Sequence, residues 1–349
     1  PLGHILEFIA ELAMISYGGK VGYCRSFTLF PNLPGLAEGC KSDLEILKPD
    51  IIITVPLILE KIKKIVMSKI MHESRLKQLL FQTIYNMRAY YFSRGYDTPI
   101  INKIFFKKSR QLFGGNLKYG VIGAALISPD TEEFINICFG TFKQAYGSTE
   151  LSAGGTFSEI DYYIPNNVGP PLGCLEIKLI SWEEGGYFSD DPEHPRGELA
   201  VCGLNVVSGY YKDPEKTKDS FVTDPATGKT WFYTGDIAEL MQDGTFRIID
   251  RKKDIIKLIH GEYVPLAKIE NIIMINKYVD MCCVCSNSTN SNIIALIVPN
   301  RPDLANLANE LRITYDNVES LIQNDQIKLI IQDEIILELK AQNLSKYEF

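Results

Sequence analysis

A chain of 349 residues, 46% hydrophobic and 23% charged, has the composition of an ordinary globular protein, with length enough for two domains and a sizeable core. Its formal net charge of −7 excludes a general nucleic-acid binder, because neutralising phosphates demands a surplus of Lys and Arg. The eight cysteines form no paired CxxC sets and no Cys/His group with zinc spacing, so they read as buried free thiols in a reducing compartment.

In chain order, residues 5–17 have helical apolar spacing, and Gly18-Gly19 ends that helix. Residues 20–24 read as a short strand. Ser42-Asp43-Leu44-Glu45 has the form of a capping box opening a second helix. Ile51-Ile52-Ile53-Thr54-Val55 is a β-branched run suited to a parallel strand buried on both faces. Pro56 opens an amphipathic helix to about residue 71, and a long helix follows over 75–94. Residues 118–122 form the next strand, Ser128-Pro129 caps a helix ending near 139, and a further strand delivers Tyr146. Strands alternating with helices predict βαβ units and a parallel sheet, with ligands bound beyond the carboxyl ends of the strands. After Glu150 the pattern changes to short strands at 175–180, 198–202, 231–234 and 246–250, separated by Gly, Pro and Asp turns, which reads as a smaller β-rich subdomain. Past the charged junction Asp250-Arg251-Lys252-Lys253-Asp254 come a strand at 255–258, a helix at 266–275, strands at 281–285 and 293–298, and helices from 302 onward. The fold class is therefore α/β. A parallel-sheet part and a β-rich subdomain occupy residues 1–250, and a small α/β domain occupies 251–349.

Four segments carry candidate chemistry. Tyr146-Gly147-Ser148-Thr149-Glu150 places a ring, a glycine, two hydroxyls and a carboxylate just past a strand. The ring can stack on a base, the glycine permits close backbone approach, the hydroxyls can donate to phosphate oxygens, and Glu150 can hold a hard cation such as Mg²⁺. A polar strand-to-loop turn would have the same composition. Asp236 in Thr234-Gly235-Asp236 can accept both hydroxyls of a ribose, and an ordinary Gly-Asp turn reads alike. Arg251 can donate to ribose or phosphate oxygens, or serve as a surface charge. Gly261-Glu262 can pass a thin ligand or form a plain turn. Gly123-Ala124-Ala125 lies past another strand end, where it could share a pocket with Tyr146. His4 and His260 read as structural or exposed. The basic clusters Lys61-Ile62-Lys63-Lys64 and Lys107-Lys108-Ser109-Arg110 read as solvated faces, with a membrane-surface or CoA-phosphate patch as the rival.

The order of these segments, together with Arg196-Gly197-Glu198, Gly209-Tyr210-Tyr211 and Ile256-Lys257, resembles the adenylate-forming enzyme superfamily over essentially the whole chain. Pro1-Leu2-Gly3-His4, Trp182-Glu183-Glu184-Gly185-Gly186-Tyr187-Phe188 and His194-Pro195-Arg196-Gly197-Glu198 are similar in wording to the long-chain fatty acid–CoA ligase branch. The resemblance implies an enzyme that uses ATP, Mg²⁺ and CoA to turn a long-chain fatty acid into acyl-AMP and then a thioester. It assigns Tyr146 to adenine, Gly147 and Ser148 to the nucleotide loop, Thr149 to the phosphates and Glu150 to Mg²⁺. It assigns Asp236 to the ribose, Arg251 to the ribose and α-phosphate, Gly123 and Ala124 to the pocket wall, Lys253 to a hinge and Gly261 to the CoA channel.

It also implies a Ser/Thr/Gly-rich phosphate loop before Pro1 and a catalytic lysine after Phe349, so the 349 residues read as a fragment with little activity alone. Gly123-Ala124-Ala125-Leu126 stands where the family usually has Gly-Gly-Ala-Pro. The family's long-chain branch implies association with endoplasmic reticulum, mitochondrial outer or peroxisomal membranes through a region outside these residues. A non-catalytic nucleotide- or acyl-binding relative, and a ligase for another carboxylate, fit the same motifs.

Overall fold

The computed structural model describes residues 3–25, 27–31, 35–159, 163–258, 263–286 and 293–341. Helix α1 (Ile5–Ser16) is capped by His4, whose Nδ1 accepts the Leu6 amide at 3.2 Å. Residues 20–24 form no strand: they lie exposed with no neighbouring ladder among the described residues, and strand propensity without a partner fixes nothing. The capping box ahead of α2 (Asp43–Leu47) forms as read, with the Ser42 amide donating to Glu45 at 2.9 Å. Strand β1 (Ile51–Thr54) leads to α3 (Pro56–Met71), α4 (Arg75–Phe92), α5 (Pro99–Ile104) and α6 (Lys107–Gln111). The last two were not legible as separate helices. Strand β2 (Tyr119–Ile122), helix α7 (Pro129–Cys138) and strand β3 (Thr141–Tyr146) complete the α/β part.

β1, β2 and β3 pair in parallel, and β4 (Thr156–Phe157) adds antiparallel to β3. β1 is therefore an edge strand, and Ile51 and Ile53 are exposed where burial on both faces was expected. The core of this part sets an aromatic group among isoleucines and leucines. Phe113 contacts Phe30, Phe139 and Phe142 at centroid distances of 5.6, 5.3 and 5.6 Å. Gly120 on β2 allows this packing, because a Cβ there would lie 2.1 Å from the Phe142 ring. Truncating Phe142, fully buried, would cost about 3–5 kcal/mol.

The β-rich part contains β5 (Leu175–Ile180), β6 (Arg196–Gly203), α8 (Pro214–Ser220), β7 (Phe221–Thr223), β8 (Thr230–Leu240) and β9 (Phe246–Arg251). β8 is the organising strand. It pairs along one edge with β6 and along the other with β7 at its start and β9 at its end.

After Arg251 the chain makes a 3₁₀ turn over Lys252–Asp254 and a small hairpin of β10 (Ile255–Lys257) and β11 (Tyr263–Pro265). Helix α9 (Leu266–Ile273), the antiparallel pair β12 (Val279–Cys285) and β13 (Ile294–Pro299), and helices α10 (Arg301–Glu310), α11 (Val318–Leu321) and α12 (Asp325–Ala341) follow. Two hydrophobic clusters here, one around Val264, Ile273 and Leu339 and one around Leu304 and Leu321, draw on residues after Lys257. β12 is not the buried strand expected: Met281, Cys283 and Cys285 face outward in alternation, because only one face of the pair is covered. Of the eight cysteines only Cys138 is buried, so burial does not explain the rest.

Candidate active site

Strand pairing within one sheet, and the end of a strand from another sheet packed against it, assemble the centre of the site. β3 ends at Tyr146, and β8 carries Asp236 opposite Arg251 on β9 as register partners. The Tyr146 hydroxyl donates to Asp236 Oδ2 at 2.6 Å, and Arg251 Nε lies 3.4 Å from Asp236 Oδ1. Three segments separated by up to about a hundred residues thus meet at one carboxylate. Asp236 is buried, and desolvation raises its pKa, with the Tyr146 hydroxyl and the Arg251 charge opposing the rise. Burial and the adjacent Asp236 push the Tyr146 hydroxyl well above its ordinary value, so it stays a donor. The Tyr146 ring packs against the two clusters that contain Leu199 and Val201, which holds its plane in place.

Ser148, Thr149 and Glu150 follow in a loop closed by backbone bonds, Ala153 amide to Ser148 carbonyl at 2.9 Å and Gly155 amide to Tyr146 carbonyl at 2.9 Å. The loop packs so tightly that a Cβ on Gly147 would sit 2.0 Å from the Ala153 carbonyl oxygen. The close approach at Gly147 is therefore made by the protein's own backbone. Glu150 accepts from the Tyr210 hydroxyl at 2.7 Å. Desolvation works against its ionisation, but Tyr210, its own amide, Ser148 and Lys216 outweigh it and hold the carboxyl below its usual range. Tyr210, pushed up to about 12 by desolvation and by Glu150, lies 4.2 Å beneath the Lys216 ammonium.

Ser148 Oγ is buried and, apart from its pull on the Glu150 carboxyl, has no partner at hydrogen-bonding distance and angle among the described residues. A buried hydroxyl so weakly engaged, beside an ionised carboxylate, fits a phosphate and its cation. The described residues contain no cluster of three or more His, Cys, Asp or Glu able to hold a metal unaided. Mg²⁺ fits here as one carboxylate plus substrate phosphates, its common coordination.

Gly123 and Ala124 follow β2 and lie beside the end of β3, with the position of a Gly123 Cβ 3.7 Å from the Ala145 carbonyl oxygen. Ala124 adopts φ of 71°, in the left-handed region that glycine favours. Thr149 is exposed at the start of the 3₁₀ turn Thr149–Leu151. Lys253 is exposed in the turn after β9, and it is its neighbour Lys252 that is engaged, at 3.0 Å from Glu198 Oε2. Gly261 and His260 lie outside the described residues.

Two supporting residues were not singled out from the sequence. Glu198, buried on β6, accepts the Gly235 amide at 3.1 Å and the Lys252 ammonium, so it ties the Thr234-Gly235-Asp236 turn to the segment past β9. Tyr210 is the other. Both stand in motifs quoted above, but nothing in their spacing names their partners.

A parallel sheet beside an antiparallel β-rich part, with Tyr146, Asp236 and Arg251 where they meet, is the architecture of an adenylate-forming domain. The profile of the AMP-binding enzyme family matches residues 1–211, and the chain belongs to that family. Long chain acyl-CoA synthetase 8 of Arabidopsis thaliana is 38% identical over 355 residues, covering 100% of this chain and 49% of its own length. Long-chain-fatty-acid–CoA ligase 1 of Schizosaccharomyces pombe is 33% identical, covering 100% of this chain and 51% of its own length. The chain thus spans about half the length of the curated relatives it matches. Among solved structures, the A domain of carboxylic acid reductase from Segniliparus rugosus, in complex with AMP and a co-purified carboxylic acid, superposes with a TM-score of 0.67 at 25% identity. That match covers 99% of this chain and 46% of the other. The o-succinylbenzoate coenzyme A synthetase of Bacillus subtilis in complex with AMP shares the fold, with a TM-score of 0.61 at 18% identity, covering 100% of this chain and 54% of that one.

Proposed function

We propose that these residues belong to an ATP-dependent long-chain fatty acid–CoA ligase. The observation that carries the reading is the meeting of Tyr146, Asp236 and Arg251 at one carboxylate, in a chain aligned end to end with proteins named as long-chain acyl-CoA synthetases. A carboxylate is a poor electrophile and must first gain a leaving group. The fatty acid oxygen attacks the α-phosphorus of ATP, and the bond to pyrophosphate breaks. The sulfur of CoA then attacks the acyl carbon, and AMP departs. Asp236 accepts from the ribose hydroxyls while Tyr146 and Arg251 hold it in place. Arg251 also faces the α-phosphate. Ser148 and Thr149 donate to phosphate oxygens, and Glu150, kept ionised, takes Mg²⁺, which supplies charge neutralisation when bound.

Two half-reactions at one site call for a movable part. We place the division between residues 1–250 and 251–349, with a pivot near Lys253. The separate clusters after Lys257 and the exposed turn at Lys253 support it. The Lys252–Glu198 pair would then help hold one orientation. Gly261 remains the candidate border of the CoA channel by family likeness. An apolar substrate also favours a membrane location, with the endoplasmic reticulum, mitochondrial outer membrane and peroxisome as the proposed sites.

The test is AMP release by the full-length protein with CoA, Mg-ATP and acids of increasing chain length, with Asp236→Ala as the control variant. Release that rises toward long acids and collapses in the variant is expected. Release confined to short or aromatic acids, or none, overturns the reading. The 349 residues alone are expected to release little.

A further inference from the structure

Helix α4 is apolar on two adjoining faces, one turned to the core and one to solvent. Its inner face, with Phe81, Ile84, Tyr85 and Phe92, packs on the aromatic core. Its outer face presents Leu76, Leu79, Leu80, Met87, Tyr90 and Tyr91, all exposed, with Leu76 at 77% and Leu79 at 65%. At about 100° per residue these six side chains fall within roughly a third of the helix circumference, so they form one stripe. The stripe cannot rotate inward. Arg88, buried on the other side, donates to the Ile137 carbonyl at 2.7 Å and to Thr98 Oγ1 at 2.6 Å and pins the helix to α7 and to the start of α5.

The charge around this stripe is unlike that of the chain as a whole. Along the chain, residues 56–118 hold thirteen Lys and Arg, the buried Arg88 and the Asp130-paired Lys63 among them, against three Asp and Glu, in a chain of net charge −7. Arg75 and Lys77 stand on α4, Lys77 paired with Glu73 at 2.7 Å, Arg94 lies two residues past its end, and Lys103, Lys107 and Lys108 stand exposed on the two helices after it. The Arg94 guanidinium lies 3.7 Å over the Tyr90 ring. Apolar side chains and two tyrosines on one rigid helix, with lysines and arginines on it and on the helices next in the chain, are the chemistry of a surface that lies in a membrane interface. Among the described residues no helix is long and apolar enough to cross a membrane, so contact in the plane of the bilayer is the geometry available to α4.

We propose that α4 docks on an anionic lipid bilayer, with its leucines and Met87 below the headgroups and the surrounding lysines and arginines against the lipid phosphates. Charge selects this occupant over a second copy of the chain, since two such faces would oppose like charges. The inference adds an attachment surface within these residues to the ligase reading and stands on surface chemistry independent of it.

The experiment places Leu79→Trp in the full-length protein and mixes it with vesicles of equal parts phosphatidylcholine and phosphatidylserine, with or without bromine on the acyl chains. The parent, with Trp182 and Trp231, supplies the background. The added emission is expected to be quenched by the brominated lipid and released as salt rises. Leu76→Gln/Leu79→Gln/Leu80→Gln is expected to lower partition into vesicles by at least about tenfold while AMP formation from detergent-dispersed fatty acid is unchanged. An indole that bromine does not quench overturns the proposal, whether it emits as in water or is already shielded by other parts of the full-length chain. So does a triple variant that forms AMP normally and binds within about twofold of the parent. Failure of the ligase reading shows separately, as absence of AMP formation by the parent.

Discussion

Arg251→Ala separates binding from folding. Arg251 lies 3.4 Å from Asp236, but its side chain is 59% exposed, whereas that of Asp236 is 12% exposed. A half-solvated pair of this kind contributes about 0–1 kcal/mol to stability. Asp236 also keeps the Tyr146 hydroxyl at 2.6 Å after the change. In a chain of 349 residues a loss of that size moves the melting temperature by about 2 °C or less. Toward a bound nucleotide the same guanidinium makes a hydrogen bond to a charged or polyhydroxyl group in a site that water leaves on binding, worth about 1.5–3 kcal/mol. AMP affinity should therefore fall about tenfold to a hundredfold. Titration calorimetry with AMP at physiological salt, beside scanning calorimetry of the unliganded protein, measures both numbers. Arg251→Lys should lie between, since it keeps the charge but not the planar fork. An unchanged AMP affinity, or a melting temperature lowered by more than about 5 °C, would show that Arg251 serves the fold and not the ligand.

Three further outcomes are expected. Ala124→Gly relieves the left-handed backbone at φ of 71° and should raise stability by about 0.5–1 kcal/mol in urea unfolding, and a loss of stability would mean that the methyl group packs usefully. Burial lifts Glu132 to about 7 against the pull of Gln144, the Asn166 amide and Lys143. Its folded pKa lies above its unfolded value, so the folded state binds the extra proton. Stability is then greatest below about pH 4.5 and falls by about 3 kcal/mol as pH rises to about 7. Glu132→Gln should flatten that slope in urea midpoints taken from pH 4.5 to pH 8, and an unchanged slope rules Glu132 out as its source. Tyr210→Phe removes a donor at 2.7 Å that helps keep Glu150 ionised. The concentration of Mg-ATP needed for half-maximal AMP release should rise about tenfold with the melting temperature within about 2 °C of the parent, and a changed maximal rate at unaltered Mg-ATP demand would count against a positioning role.

Local signals in the sequence were reliable wherever the physics is local. The Ser42 capping box, Pro56 at the head of α3 and Ser128 at the head of α7 all form as read, because each satisfies its own helix end. Signals that depend on neighbours failed. Residues 20–24 had strand character but no ladder to join, and the β-branched run at β1 gave no hint that it would stand at the sheet edge. The same holds at the site. Tyr146, Asp236 and Arg251 were legible as residue types past strand ends, but their convergence depends on β3, β8 and β9 being assembled. Glu198 read only as the start of a short strand, and its hold on both Gly235 and Lys252 exists only once β6 lies beside β8. Ala124 read as part of a pocket wall, and the backbone adds a strain that residue identity did not announce.

The pairing of β8 with β9 contains one irregularity whose effect reaches the site. Ala238 faces Ile248 and Ile237 faces Asp250, so Ile249 is an extra residue in β9, and only beyond it does Asp236 come opposite Arg251. Ile249 acts as a spacer that sets the phase of everything after it. Were the two strands to zip straight through, Asp236 would stand opposite Asp250, itself buried, and Arg251 would overshoot its partner by one position. Two carboxylates facing each other in apolar surroundings repel, so the out-of-phase alignment carries its own electrostatic penalty. Selection between the two alignments is thus written into three consecutive side chains, and it operates while the strands are pairing, before any nucleotide arrives.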